Sequence, residues 1–73
     1  MQTRTRFAEF MDARQLRAQI IADMAEVSRR HVYMLRSGQS DPTRGVMVRL
    51  ARACSVSLNR KVHVAELFDL GDE

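Results

Sequence analysis

Residues 27–43 read VSRRHVYMLRSGQSDPT. Ser28 can cap a helix that reaches about Arg36, because a serine hydroxyl accepts a first-turn amide that has no partner inside the helix. Gly38 stands where a left-handed residue is wanted just past the helix end. Asp41, Pro42 and Thr43 then read as a turn that ends in a second cap. With about 100° per residue and Arg29 taken as zero, Arg30, Tyr33, Met34 and Ser37 fall between about 40° and 140°. Val32 and Leu35 fall near 300° and 240°, roughly opposite. The segment is therefore expected to bury Val32 and Leu35 and to present two arginines, a tyrosine, a methionine and a serine outward. That is the layout a helix needs to enter the major groove of DNA. Arginine near a helix N-terminus reaches a phosphate or guanine's acceptor pair, and Tyr33 or Met34 can touch a thymine methyl.

Working outward, the apolar spacing is helical almost throughout, with no alternating run before residue 59. A first helix is expected over residues 5–13, capped by Thr5 and burying Phe7, Phe10 and Met11. A second spans about residues 17–25, burying Ile20 or Ile21 with Ala22 and Ala25. A fourth, the longest, follows Thr43 and carries Met47, Leu50, Ala51, Cys54 and Leu58 at spacings of three and four, with Asn59 to end it. After an extended stretch at 60–63, residues 64–70 form a brief fifth helix. The fold class is all-α: one compact five-helix domain over residues 1–73, with residues 1–6 as a basic arm and 71–73 as an acidic tail.

Composition narrows the function classes. A chain of 73 residues with 45% hydrophobic residues and four aromatics has room for one small core, which most catalytic folds exceed. No apolar run approaches the roughly 18 residues of a membrane span, and MQTRTRFAEF lacks the apolar centre of a secretory leader, so a cytoplasmic location is expected. The single Cys54 excludes an internal disulfide and lies on an apolar helical stripe, as a packed thiol would. His31 and His63 have no cysteine or carboxylate at metal-site spacing and read as solvated residues, so no metal is expected. No serine, histidine and carboxylate set points to covalent catalysis, and no glycine-rich loop points to a nucleotide cofactor. The chain reads as a non-enzyme with no cofactor.

The formal net charge of +3 conceals a segregation. Residues 28–61 hold eight basic side chains against Asp41 alone, a balance of +7, whereas residues 62–73 sum to −4. Eleven of the twelve basic residues are arginine, which suits bidentate contact with phosphates and guanines. Codon bias in a GC-rich genome produces the same skew.

The spacing of Ala22, Val27, Ser28, Val32, Leu35, Gly38 and Pro42 resembles the phage-repressor type of helix-turn-helix, the Xre or Cro-like family. The likeness continues through Val56 and Ser57 to Leu67 and Phe68, covering about residues 7–70, with the helix-turn-helix at about 17–37. It implies a lambda-repressor-like fold in which Ser28, Arg29, Arg30, Tyr33, Met34 and Ser37 face DNA, with Ser40 as a further base or phosphate contact. It also sets Arg44, at the next helix start, against the DNA backbone. The family's frequent glutamine at the start of the second helix falls at Ala18, so its phosphate contact passes to Arg17 or Gln19. Glu26 and Gln15 stand where the family often has glycine, and the segment from Leu58 to Val64 is longer than usual.

The function so implied is a sequence-specific transcriptional regulator of phage, plasmid or prophage type, a repressor that binds a palindromic operator in double-stranded DNA as a homodimer. Val62, Val64, Leu67, Phe68 and Leu70 are the apolar residues expected at the dimer interface. The alternative is an interaction protein, for example an antitoxin, that uses the same fold to bind a protein partner. A restriction-modification controller is a third possibility.

Overall fold

Caps expected from the sequence begin three of the five helices found among the described residues. The computed structural model describes residues 5–68, which form α1 (Arg6–Ala13), α2 (Ala18–Ala25), α3 (Arg29–Ser37), α4 (Arg44–Leu58) and α5 (Val64–Leu67), with no strand among them. Thr5, Ser28 and Thr43 sit in extended conformation before α1, α3 and α4, and their side-chain oxygens accept from the amides of Ala8, His31 and Val46. Arg17, extended and without a side-chain capping bond, precedes α2, which begins at Ala18.

Left-handed residues close three helices: Glu26 after α2 (φ 59°), Gly38 after α3 (φ 81°) and Asn59 after α4 (φ 55°). Gln15, in the turn between α1 and α2, is also left-handed (φ 57°). The two positions where the resembled family often has glycine thus carry side chains in backbone that favours glycine.

The apolar stripes meet in one core. Phe7, Met11, Ile21, Val32, Leu50, Cys54 and Leu67 are closed off from solvent, each larger apolar side chain contributing about 1.5–3 kcal/mol relative to exposure. Of the two isoleucines on α2, Ile21 enters the core and Ile20 stays outside. α2 packs against both α3 and α4, while α1 packs against α3 and α5. Ala22, wholly buried, has only a methyl group to place in that crowded position. The radius of gyration of 11.2 Å matches the roughly 11 Å of a compact chain this long.

The C-terminal segment differs from expectation. α5 ends at Leu67, and Phe68 is extended (φ −133°, ψ 140°), which lets its ring settle 5.1 Å from that of Phe7. Val62 and Leu67 are core residues, 5% and 0% exposed, while Val64 and Phe68 are half-buried against the core. The monomer therefore consumes Val62 and Leu67, which were expected at a dimer seam. One α-helical turn with extended flanks can bury more apolar side chains than a longer helix lying on the surface. Leu70, expected in the same seam, lies outside the described residues, as do the tail at 71–73 and most of the arm at 1–6.

Polar ties fix this end. The Val62 amide donates to Ser55 Oγ (2.8 Å), and that hydroxyl donates to the Ala51 carbonyl (2.8 Å). Arg60 pairs with Glu66 (2.9 Å), whose other oxygen accepts from the His63 amide (3.0 Å). Arg6 reaches the Ala65 carbonyl (2.9 Å), joining α1 to α5. No helix among the described residues is long and apolar enough to cross a membrane.

Candidate functional site

The outward face of α3 follows from its rotation. Val32 and Leu35 are buried, so the opposite side of a nine-residue helix must face solvent. Arg29, Arg30, Tyr33 and Ser37 are exposed there, Tyr33 at 55%, and Met34 is half-buried beside them. The α3 N-terminus, with its amides partly unsatisfied and its dipole positive, adds to the same positive field.

Several polar groups on this face already have duties. Ser28 Oγ accepts from the His31 amide at 3.0 Å, so its oxygen caps the helix and its proton remains free to donate. Ser37 Oγ donates to the Met34 carbonyl (3.1 Å). Arg29 pairs with Asp23 on α2: Nη2 lies 3.0 Å from Oδ2 and Nε lies 3.5 Å from Oδ1. Asp23's hydrogen bond, and then its charge, raise the Arg29 pKa above its ordinary value. Arg30 is exposed and makes no ion pair among the described residues.

The remaining expected contacts lie around α3. Arg17 and Gln19, at the start of α2, are exposed. Arg44 is exposed at the first position of α4, behind the Thr43 cap. Ser40 is half-buried and lines a cleft of about 260 Å³ with Phe7, Leu35, Pro42, Leu67 and Phe68, apart from the outward strip of α3.

Charge summed along the sequence overstates the open positive surface. Of the eight basic residues at 28–61, Arg29, Arg36 and Arg60 are paired with Asp23, Asp12 and Glu66. Subtracting these three from eight leaves five without an ion pair among the described residues: Arg30, Arg44, Arg49, Arg52 and Lys61. Arg36 belongs to the fold, bridging to Asp12 at 3.0 Å and lying 3.9 Å from Met11 Sδ.

Sequence reading passed over Asp23, Asp12 and Glu66 because their partners are 6, 24 and 6 residues away, outside the i+3 and i+4 spacings by which helical pairs are recognised. His31, read as solvated, is half-buried, and its Nε2 is closed off without a partner among the described residues. At about 200° on the wheel it lies next to Leu35, which explains its partial burial. Cys54 is packed as expected, and burial pushes its thiol up to about 11, far from a reactive thiolate. No group of three or more potential metal ligands occurs among the described residues.

One apolar feature lies off α3. Ile20 (47% exposed), Met24 (41%) and Val56 (71%) are open, and Ser57 Oγ lies 3.5 Å from Met24 Sδ, so α2 and α4 meet at Met24. No family model matches the chain, and neither a curated protein nor a solved structure matches it.

Proposed function

We propose that the chain is a sequence-specific DNA-binding domain of the helix-turn-helix type, in which α3 enters the major groove and the protein acts as a transcriptional regulator of the repressor kind. The observation that carries this reading is the outward strip of α3, where exposed Arg30 and Tyr33 stand opposite buried Val32 and Leu35. A rigid helix so divided supplies both the phosphate-binding charge and the base-reaching side chains that groove recognition needs. Arg44 at the α4 N-terminus and Arg17 with Gln19 at the start of α2 supply backbone contacts in this reading.

A recognition helix of nine residues is about 13.5 Å long at 1.5 Å per residue, which covers only a few base pairs. A homodimer on a near-palindrome supplies the rest, with half-site centres about 34 Å or 10 base pairs apart. Since the C-terminal segment keeps Val62 and Leu67 for its own core, the exposed Ile20 and Met24 of α2, with Val56 of α4, are better placed to meet a second copy.

The test recovers binding sites from a randomised duplex with the 73-residue chain and compares the preferred site with a scrambled one. A ratio of at least about 10³ at physiological salt is expected. Equal affinity for all sequences overturns the reading.

The same exposed apolar side chains favour the second reading, an interaction protein of the antitoxin kind. A chain that is monomeric alone in solution and recovers no preferred duplex supports that reading over the regulator.

A further inference from the structure

The ion pair between α2 and α3 has little to do for stability. Both side chains are mostly in water, Arg29 at 57% and Asp23 at 62% exposure, where such pairs contribute little. Its geometry is more informative. A guanidinium has five N–H donors in a fixed plane. Asp23 takes the side-on edge, Nε to Oδ1 and Nη2 to Oδ2. The end-on edge keeps one hydrogen on each of Nη1 and Nη2, a parallel pair that matches the N7 and O6 acceptors of guanine.

We propose that Asp23 is a positioning residue that holds Arg29 end-on toward a guanine in the major groove and keeps it from serving as a general phosphate clamp. The inference rests on the DNA-binding reading of α3. A free arginine at a helix start samples many rotamers and grips whichever anion is nearest. The carboxylate narrows both freedoms: it favours one plane of the guanidinium, and its own charge repels phosphate oxygens that approach the same group. Neutralising the guanidinium in this way costs attraction to random DNA and leaves the directional pair intact. When the groove displaces water from the pair, its hydrogen bonds strengthen, so the constraint tightens on the bound state.

The test uses the full chain and the duplex it prefers. Each guanine of that duplex is replaced in turn by 7-deazaguanine, which lacks the N7 acceptor, and binding of wild type, Asp23→Ala and Asp23→Asn is measured on each duplex and on random DNA. Wild type is expected to lose about tenfold at one guanine per half-site. Asp23→Ala should bind that guanine and its analogue within about twofold, hold random DNA as well as or better than wild type, and keep its thermal midpoint. Asp23→Asn, with one acceptor oxygen left, should retain part of the discrimination. Discrimination undiminished in Asp23→Ala overturns the proposal, as does a wild type that senses no guanine in its preferred site. Equal losses by Asp23→Ala on specific and random DNA, with a lowered midpoint, assign Asp23 to the fold and also overturn it. A wild type that prefers no duplex at all defeats the DNA-binding reading itself and is distinguishable from these outcomes.

Discussion

Thr5 Oγ1 donates to the Arg36 carbonyl at 2.7 Å while accepting from the Ala8 amide at 3.0 Å. One hydroxyl thus starts α1 and satisfies a carbonyl at the end of α3, an acceptor with no partner inside its own helix. Thr5→Val keeps the shape and removes both bonds. The expected loss is about 2 kcal/mol, a fall of roughly 10 °C in thermal midpoint for a domain of this size. Thr5→Ser should recover most of it. An unchanged midpoint in Thr5→Val would mean that water replaces the hydroxyl at both partners.

Glu26, at φ 59° and ψ 41°, holds a left-handed conformation that costs a residue with a side chain about 1 kcal/mol relative to glycine. Glu26→Gly should therefore raise the thermal midpoint by about 4–8 °C. Gly38→Ala should lower it for the converse reason. A new Cβ there would meet Thr5 Cγ2 at an ordinary 3.4 Å, so the backbone and not a clash carries that cost. A lower midpoint for Glu26→Gly would show that the glutamate side chain contributes more than its backbone loses.

The helix pattern was legible because its signals are local. Ser28, Thr43 and Gly38 act within one turn of their own position, and the Val32 and Leu35 spacing fixes which side of α3 turns inward. Long-range closure was not legible. The apolar residues of 62–70 looked surplus because nothing local reveals that Phe68 breaks the last helix and lies on Phe7. For the same reason the pair of Arg29 with Asp23 was not legible, since that partner is in the preceding helix across a turn.

Closure of the C-terminal segment separates two kinds of variant. Leu67 is wholly buried, and Leu67→Ala should cost about 2–5 kcal/mol, with Leu67→Glu unfolding the domain. Met24→Glu, placed on an exposed side chain, should leave circular dichroism unchanged and convert a sedimenting dimer to monomer. A folded Met24→Glu that remains dimeric puts the interface elsewhere.

Acid should loosen the turn into α5. The Arg60 hydrogen bond, and next the His63 amide, hold the Glu66 carboxyl at about 2, below its ordinary 4.5. A depressed folded value means that the charged form stabilises the fold above about pH 4.5, and that this contribution fades as pH falls toward 2. Glu66→Gln should melt below wild type at about pH 6, with the gap closing through that acid window. A gap independent of pH would show that the carboxylate charge contributes nothing.

The most direct measurement is a titration of ¹⁵N-labelled protein with its preferred duplex, followed amide by amide, beside salt-dependent affinities of wild type and Arg44→Ala. Shifts should concentrate in residues 28–37 and around Arg44, leaving the core face of α1 and all of α5 quiet. Arg44→Ala should weaken every sequence alike and flatten the salt slope by about one unit. Shifts centred on Ile20, Met24 and Val56 with α3 silent, or no saturable shifts at all, would contradict the placement of DNA on α3.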